Sequence, residues 1–192
     1  RKRMEHMLRE SEHRLKEKLD LILSPESDFP EIHLLDIIDG EDLQRFQDAF
    51  AEATDVASVI VDLDGNPLTR PSNFNPVCKI VLATDEGKRR CDHSDNVRNA
   101  KARDLSKPTF HQCLSCGFVD GSAPIVVAGK HIANWLAGQS NAKNIDRERI
   151  TNFAGELGAD VNAMLEAFDA VPDMPLKKFH QILDLLWIFA RE

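Results

Sequence analysis

No run of apolar residues in this 192-residue chain approaches the length of a membrane-spanning helix, and no secretory signal pattern opens it. Those absences exclude a helical membrane segment within the sequence. Cysteine is sparse, at four residues. Without a secretory signal, four thiols indicate a reducing, cytoplasmic compartment, where metals or reactive thiols outweigh disulfides. Positive charge is also in short supply. Lys and Arg number 24 against 32 Asp and Glu, for a net charge of −8, so the chain is a poor binder of polyanions. The basic residues cluster at 1–18 and 88–103, both mixed with acids, and nucleic acid is not an expected partner. Catalytic signatures are missing as well: there is no Gly-rich phosphate loop, G-x-S-x-G, H-E-x-x-H or kinase motif. The acid pairs Asp62/Asp64 and Asp92/Asp95 read as turn and cap residues. No nucleophile–base pair stands out, and the isolated domain reads as non-enzymatic.

What is present is an ordinary globular composition, 42 % hydrophobic and 29 % charged, with room for a sizeable core. The sequence opens at Arg1 inside what reads as a helix, so it is expected to be a piece of a longer protein. Residues 1–23 form a charged helix whose seam, Met4, Leu8, Ser11, Leu15, Lys18 and Ile22, steps by four and three. Such a helix either lies on its own domain or pairs with a second copy as a signalling connector. Ser24-Pro25 ends it, and residues 24–192 make the domain proper.

Asp39 or Gly40 opens a helix to about Thr54, with Leu43, Phe46, Phe50 and Ala53 as its buried stripe. Ala57–Leu63 is a strand, Asp64-Gly65-Asn66-Pro67 a turn, and Leu68 starts a short partner strand. Asn75-Pro76 is a cap followed by proline at the first helical position, in a short helix carrying Cys78. Thr84 or Asp85 caps a second short helix to Cys91, and Ser94 a third to about Leu105. Asn144 caps a helix Ile145–Leu157 that stops at Gly158, Asp160 caps Val161–Ala170, and Asp173 and Pro175 start a broad-faced final helix.

The chain is organised around Thr109–Gln139. A strand, Thr109–Gln112, leads into Cys113 and Cys116, a C-x-x-C pair closed by Gly117. Two apolar runs, Ala123–Ala128 and His131–Gly138, flank Gly129-Lys130 and read as a hairpin. With Cys78 and Cys91, the pair gives four soft donors that suit zinc or an iron–sulfur cluster. The same residues also read as small core side chains, or as a redox pair between Cys113 and Cys116. His93 and His111 lie nearest as substitute ligands.

Three segments, FNPVCKIVL, RRCDHSDNVRNAKA and KPTFHQCLSCGFVDGSAPIVVAGKHIANWLAGQ, resemble the PocR sensory-domain family. The shared features fall on Cys78, Cys91 with Ser94-Asp95, Cys113, Gly117-Phe118, Pro124-Ile125, Gly129 and Gly138-Gln139. The family's third cysteine usually sits three residues before the glycine; here Leu114 holds that place, flanked by Cys113 and Cys116. The resemblance spans roughly residues 35–190. It implies an α+β, PAS-like fold, an antiparallel sheet flanked by helices, with long terminal helices that signal. It also implies a module of histidine kinases or transcription regulators that senses small organic compounds such as diols. Candidate ligand contacts in the pocket between sheet and helices are Phe74, Phe110, Phe118, Trp135 and Gln139. The expected partners are a small organic molecule, a second copy through the terminal helices, and a downstream kinase or other output domain. The alternatives are a zinc or iron–sulfur sensor whose four-cysteine site is the input, and a dimerisation module without ligand.

Overall fold

The computed structural model describes His13, Lys16 and residues 33–101, 107–142 and 145–191. His13 and Lys16 are helical; the rest of the expected N-terminal helix and its seam lie outside the described residues. A one-turn helix α1 (Leu34–Ile37) leads through Asp39, whose carboxylate accepts from the Glu41 and Asp42 amides, into α2 (Gly40–Thr54). Strand β1 (Ala57–Val61) follows, then α3 (Pro76–Leu82) and α4 (Asp85–Lys101). Strands β2 (Thr109–Gln112), β3 (Val119–Val127) and β4 (Lys130–Ser140) complete a four-stranded sheet in the order β1-β4-β3-β2. All of its pairings are antiparallel. The last third is α5 (Arg147–Leu157), α6 (Val161–Asp169) and α7 (Leu176–Phe189). This α+β arrangement is that of a PAS-like domain. Residues 67–72 extend the sheet beyond β1 through bridges Val61–Pro67 and Ser58–Ser72, where Leu68 was expected to begin a partner strand.

Alternation along the strands divides the molecule into two cores. On one face Ile60, Ala123, Ile125, Ala133 and Trp135 pack against α2 and α7. The sequence stripe of α7 does this work: Phe179, Ile182, Leu183, Leu186 and Ala190 are buried. At the other end of the fold, Phe118 and Cys116 pack with α3, α5 and α6 through Val77, Val81, Ile150 and Met164. Capping and stop signals hold where the backbone needs them. Asn75 accepts from the Val77 and Cys78 amides, Asp160 caps α6, and Gly158 takes the left-handed conformation after α5.

Several expectations need correction. The α2 stripe is half as expected: Leu43 and Phe50 are buried, but so are Gln44, Gln47, Ala51 and Thr54, whereas Ala53 is exposed and Phe46 keeps 47 % of its surface. The cause is a polar network. The Gln47 amide donates to the carbonyls of Ser58 (3.1 Å) and Arg70 (2.8 Å) and accepts from the Ile60 amide (3.0 Å), fastening α2 to the segment beyond β1. The two short helices expected at 85–105 are one continuous α4, capped by Thr84 through the Gly87 amide. Ser94 does not cap; it is buried mid-helix, accepting from the Leu114 amide (3.0 Å) and bonded to His111 Nε2 (3.0 Å). Asp146, not Asn144, caps α5. The hairpin turns at Ala128-Gly129, both at positive φ, one residue earlier than expected. Strand β3 begins at Val119, four residues before the expected start at Ala123, so Asp120-Gly121-Ser122 is strand. Gly121 permits this because a Cβ there would stand 2.2 Å from Leu183 of α7.

Candidate functional site

The second sheet face is where chemistry gathers. Val59, Val61 and Leu136 form a floor beneath α3, α4 and the 113–118 turn, enclosing a cavity of about 450 Å³. Cys78 and Leu82 of α3, Cys91 and Asp95 of α4, and Cys113 and Cys116 of the turn all line it. The turn is a tight knuckle. The Gly117 amide donates to the Cys113 carbonyl (3.0 Å), and the Cys113 amide to the Phe118 carbonyl (2.8 Å). Gly117 sits at φ +86°, a conformation that suits glycine.

All four cysteines are free thiols. The Cys116 thiol is within hydrogen-bonding reach of Cys78 and of Cys113, so three sulfurs from α3 and the knuckle form a chain. Cys91 stands apart, beside the Ser115 hydroxyl. Two backbone amides point at sulfur: that of Cys116 toward Cys113, and that of Phe118 toward Cys116.

Every one of these thiols is held in its neutral form. At Cys113 the hydrogen bond with Cys116, then burial, raises the pKa. At Cys116 the Cys113 hydrogen bond favours the thiolate, but the bond with Cys78 and burial outweigh it. Cys78 is likewise favoured by Cys116, yet burial and the nearby Asp120 carboxylate leave its pKa raised. Burial pushes Cys91 up to about 11. Neutral buried thiols behave as small apolar groups.

Among the described residues, no three His, Cys, Asp or Glu side chains are gathered so as to hold a metal ion. His93 is exposed on α4, and His111 is engaged with Ser94.

The candidate ligand contacts divide between the two sheet faces. Phe74, Phe118 and Gln139 line the cavity. Phe110 lies on the other face against Phe179 and His180 of α7, and Trp135 is in the first core, between Phe46 and Phe50. Trp135 donates to the Ser58 hydroxyl (2.7 Å). Neither ring is among the cavity's lining residues.

Gln139 occupies a bulge in β4 at φ 55°. Its Oε1 accepts from the Asn75 amide (2.8 Å) and its carbonyl from Asn75 Nδ2 (2.6 Å), tying the start of α3 to the sheet. Asp120, which the sequence reading left between the cysteine pair and the first apolar run, lines the cavity and accepts from the Gln139 amide (2.8 Å). Gly138 faces it directly: a Cβ there would stand 2.5 Å from Asp120 Cα.

A family model described as the sensory domain found in PocR matches residues 36–192. The chain is also similar to the regulatory protein PocR of Salmonella typhimurium, 29 % identical over 150 residues. That match covers 78 % of this chain and 49 % of the relative, so the chain spans about half the relative's length. No described helix is long and apolar enough to cross a membrane. With a PAS-like sheet, a half-enclosed cavity on one face and the family match along most of its length, the chain belongs to the PocR sensory-domain family.

Proposed function

We propose that this domain is the non-catalytic input module of a longer signalling protein, and that it takes a small organic molecule into the cavity over Val59 and Leu136. The observation that carries this reading is the cavity itself. Its volume of about 450 Å³ lies in the range of small-molecule sites, and its wall is mostly apolar with a few polar groups, Asp95, Asp120 and Gln139. Binding draws α3 and α4 toward the sheet and shifts the packing of the terminal helices, favouring one of two arrangements in a homodimer. The output domain is a histidine kinase or a transcription regulator. The protein works in the cytoplasm.

A second reading makes the four cysteines a zinc or iron–sulfur input. The chain of three sulfurs and the two amides aimed at them support it, since such amides favour thiolate ligands. It requires Cys91 to leave Ser115 and join the other three.

Titration calorimetry with propane-1,2-diol, on protein purified without oxygen and assayed for zinc and iron, tests the two readings together. Saturable binding to the folded, metal-free protein is the expected outcome. No binding, with a stoichiometric metal lost in Cys113→Ala, would hand the site to the second reading.

A further inference from the structure

The ligand cavity has a neighbour. A second hollow of about 300 Å³ lies beside it, reaching from Asp55 and Asn73 to Ser140 and to Val171, just beyond α6. The two share Ala57, Phe74, Gly138 and Gln139 as their common wall. Their chemistry differs. The inner chamber is lined mainly by apolar groups, among them Val59, Leu82, Phe118, Leu136 and neutral thiols, with Ser58, Asp95 and Asp120 as polar members. The outer one offers Asp55, Asn73, Asn75 and Ser140. Gln139 belongs to both. Its Oε1 is committed to Asn75, while no described residue accepts from its Nε2.

Size is the second consideration. A three-carbon diol has five heavy atoms; at the roughly 30 Å³ that a water occupies in the liquid, it needs at most about 150 Å³. That is a third of the inner chamber, and most of the wall it leaves uncovered is apolar. A ten-carbon diol, with twelve heavy atoms, needs about 360 Å³ on the same measure and fills the chamber without overfilling it.

We infer that the natural ligand is an uncharged amphiphile, with an apolar body of six to ten carbons, order of magnitude, filling the inner chamber and a hydroxyl- or carbonyl-bearing head accepting from Gln139 at the mouth of the outer one. Phe74 is the partition that sets how far the body extends. This inference rests on the binding function proposed above and sharpens it.

The test is a homologous series of linear 1,2-diols, from propane- through hexane- to decane-diol, titrated onto the full chain by calorimetry. Each buried methylene is worth about a fourfold gain in affinity, so Kd falls about fourfold per carbon until the chamber is full. Leu136→Trp moves the plateau to shorter diols, and Phe74→Ala moves it to longer ones. Gln139→Leu, which keeps the length dependence, weakens every diol about tenfold, the loss of one hydrogen bond to a half-buried group. Thermal unfolding of each variant confirms that it is folded. If propanediol binds and the longer diols bind no tighter, the amphiphile inference falls while the ligand-binding function stands. If no diol binds but the apolar dye N-phenyl-1-naphthylamine does, the polar head is wrong and the inference falls. If neither diols nor dye bind, the binding function falls with it.

Discussion

The thiols show how an environment, rather than a residue type, decides reactivity. A free cysteine titrates near 8.5, whereas burial holds Cys91 near 11. The thiolate is the nucleophile, so iodoacetamide should alkylate Cys91 at neutral pH on the order of 100-fold more slowly than an unhindered cysteine. The rate should keep climbing as pH approaches 11. Peptide mapping by mass spectrometry reads this site alone, and a plateau near pH 8.5 would show that the thiol is not shielded. The linkage has a definite sign. The folded pKa lies above the unfolded one, so the protein's preference for the neutral thiol supports folding below about pH 8.5 and is lost as pH rises toward 11. The cysteines were visible in the sequence as a group because of the C-x-x-C spacing. Asp120 was not, because Val-Asp-Gly-Ser carries no apolar alternation and is strand through its pairing with β2 and β4. Gln47 was hidden for a related reason. Its partners are main-chain groups of Ser58, Ile60 and Arg70 and the hydroxyls of Thr69 and Ser72, which only the folded chain brings to it.

Among elements, the end of β4 is the least forgiving. Gly138 and Gln139 make the bulge that brings Asn75 and α3 onto the sheet. A methyl group on Gly138 would meet Asp120 Cα at 2.5 Å and the Val119 carbonyl at 2.6 Å, both backbone-level contacts that cannot rotate away. Gly138→Ala should therefore cost about 3 kcal/mol, at the upper end of overpacking penalties, as measured by urea unfolding. Gly129→Ala is the comparison: nothing lies within 4 Å of its added Cβ, and its cost is confined to the strain of φ +79°, about 1 kcal/mol. Equal losses at the two positions would show that β4 is not clamped where Asp120 crosses it. Helix starts at Asp39, Asn75 and Asp160 were legible because a cap is a local contract between a side chain and amides two or three residues away. The continuity of α4 was not, since Ser94 abandons its capping habit for a partner twenty residues distant at Leu114.

At the scale of the whole molecule, the described residues include an exposed apolar cluster on the side away from the cavity. Phe46, Ile188 and Phe189 keep 47 %, 54 % and 37 % of their surface, and the rings of Phe46 and Phe189 meet at 5.4 Å between centroids. Large side chains clustered this way mark a surface that associates. The chain should form a homodimer through α2 and α7 in sedimentation equilibrium, and Ile188→Lys should weaken that dimer at least tenfold, since a charge is then buried in it. A wild-type chain that stays monomeric would remove the dimer from the proposed relay. The sequence showed the α7 face as broad, but not which part of it the sheet would use; that depends on the crossing of α7 over β3, a property of the assembled fold.

That crossing has one more consequence. Asp120 lines the cavity, and the next residue, Gly121, is pressed against Leu183 of α7. Between the chamber and α7 there is therefore a partition a single peptide unit thick, with no side chain on Gly121 to cushion it. Whatever pushes on Asp120 from within is felt by Leu183 without passing through any intermediary, much as a finger on one side of a drumhead is felt on the other.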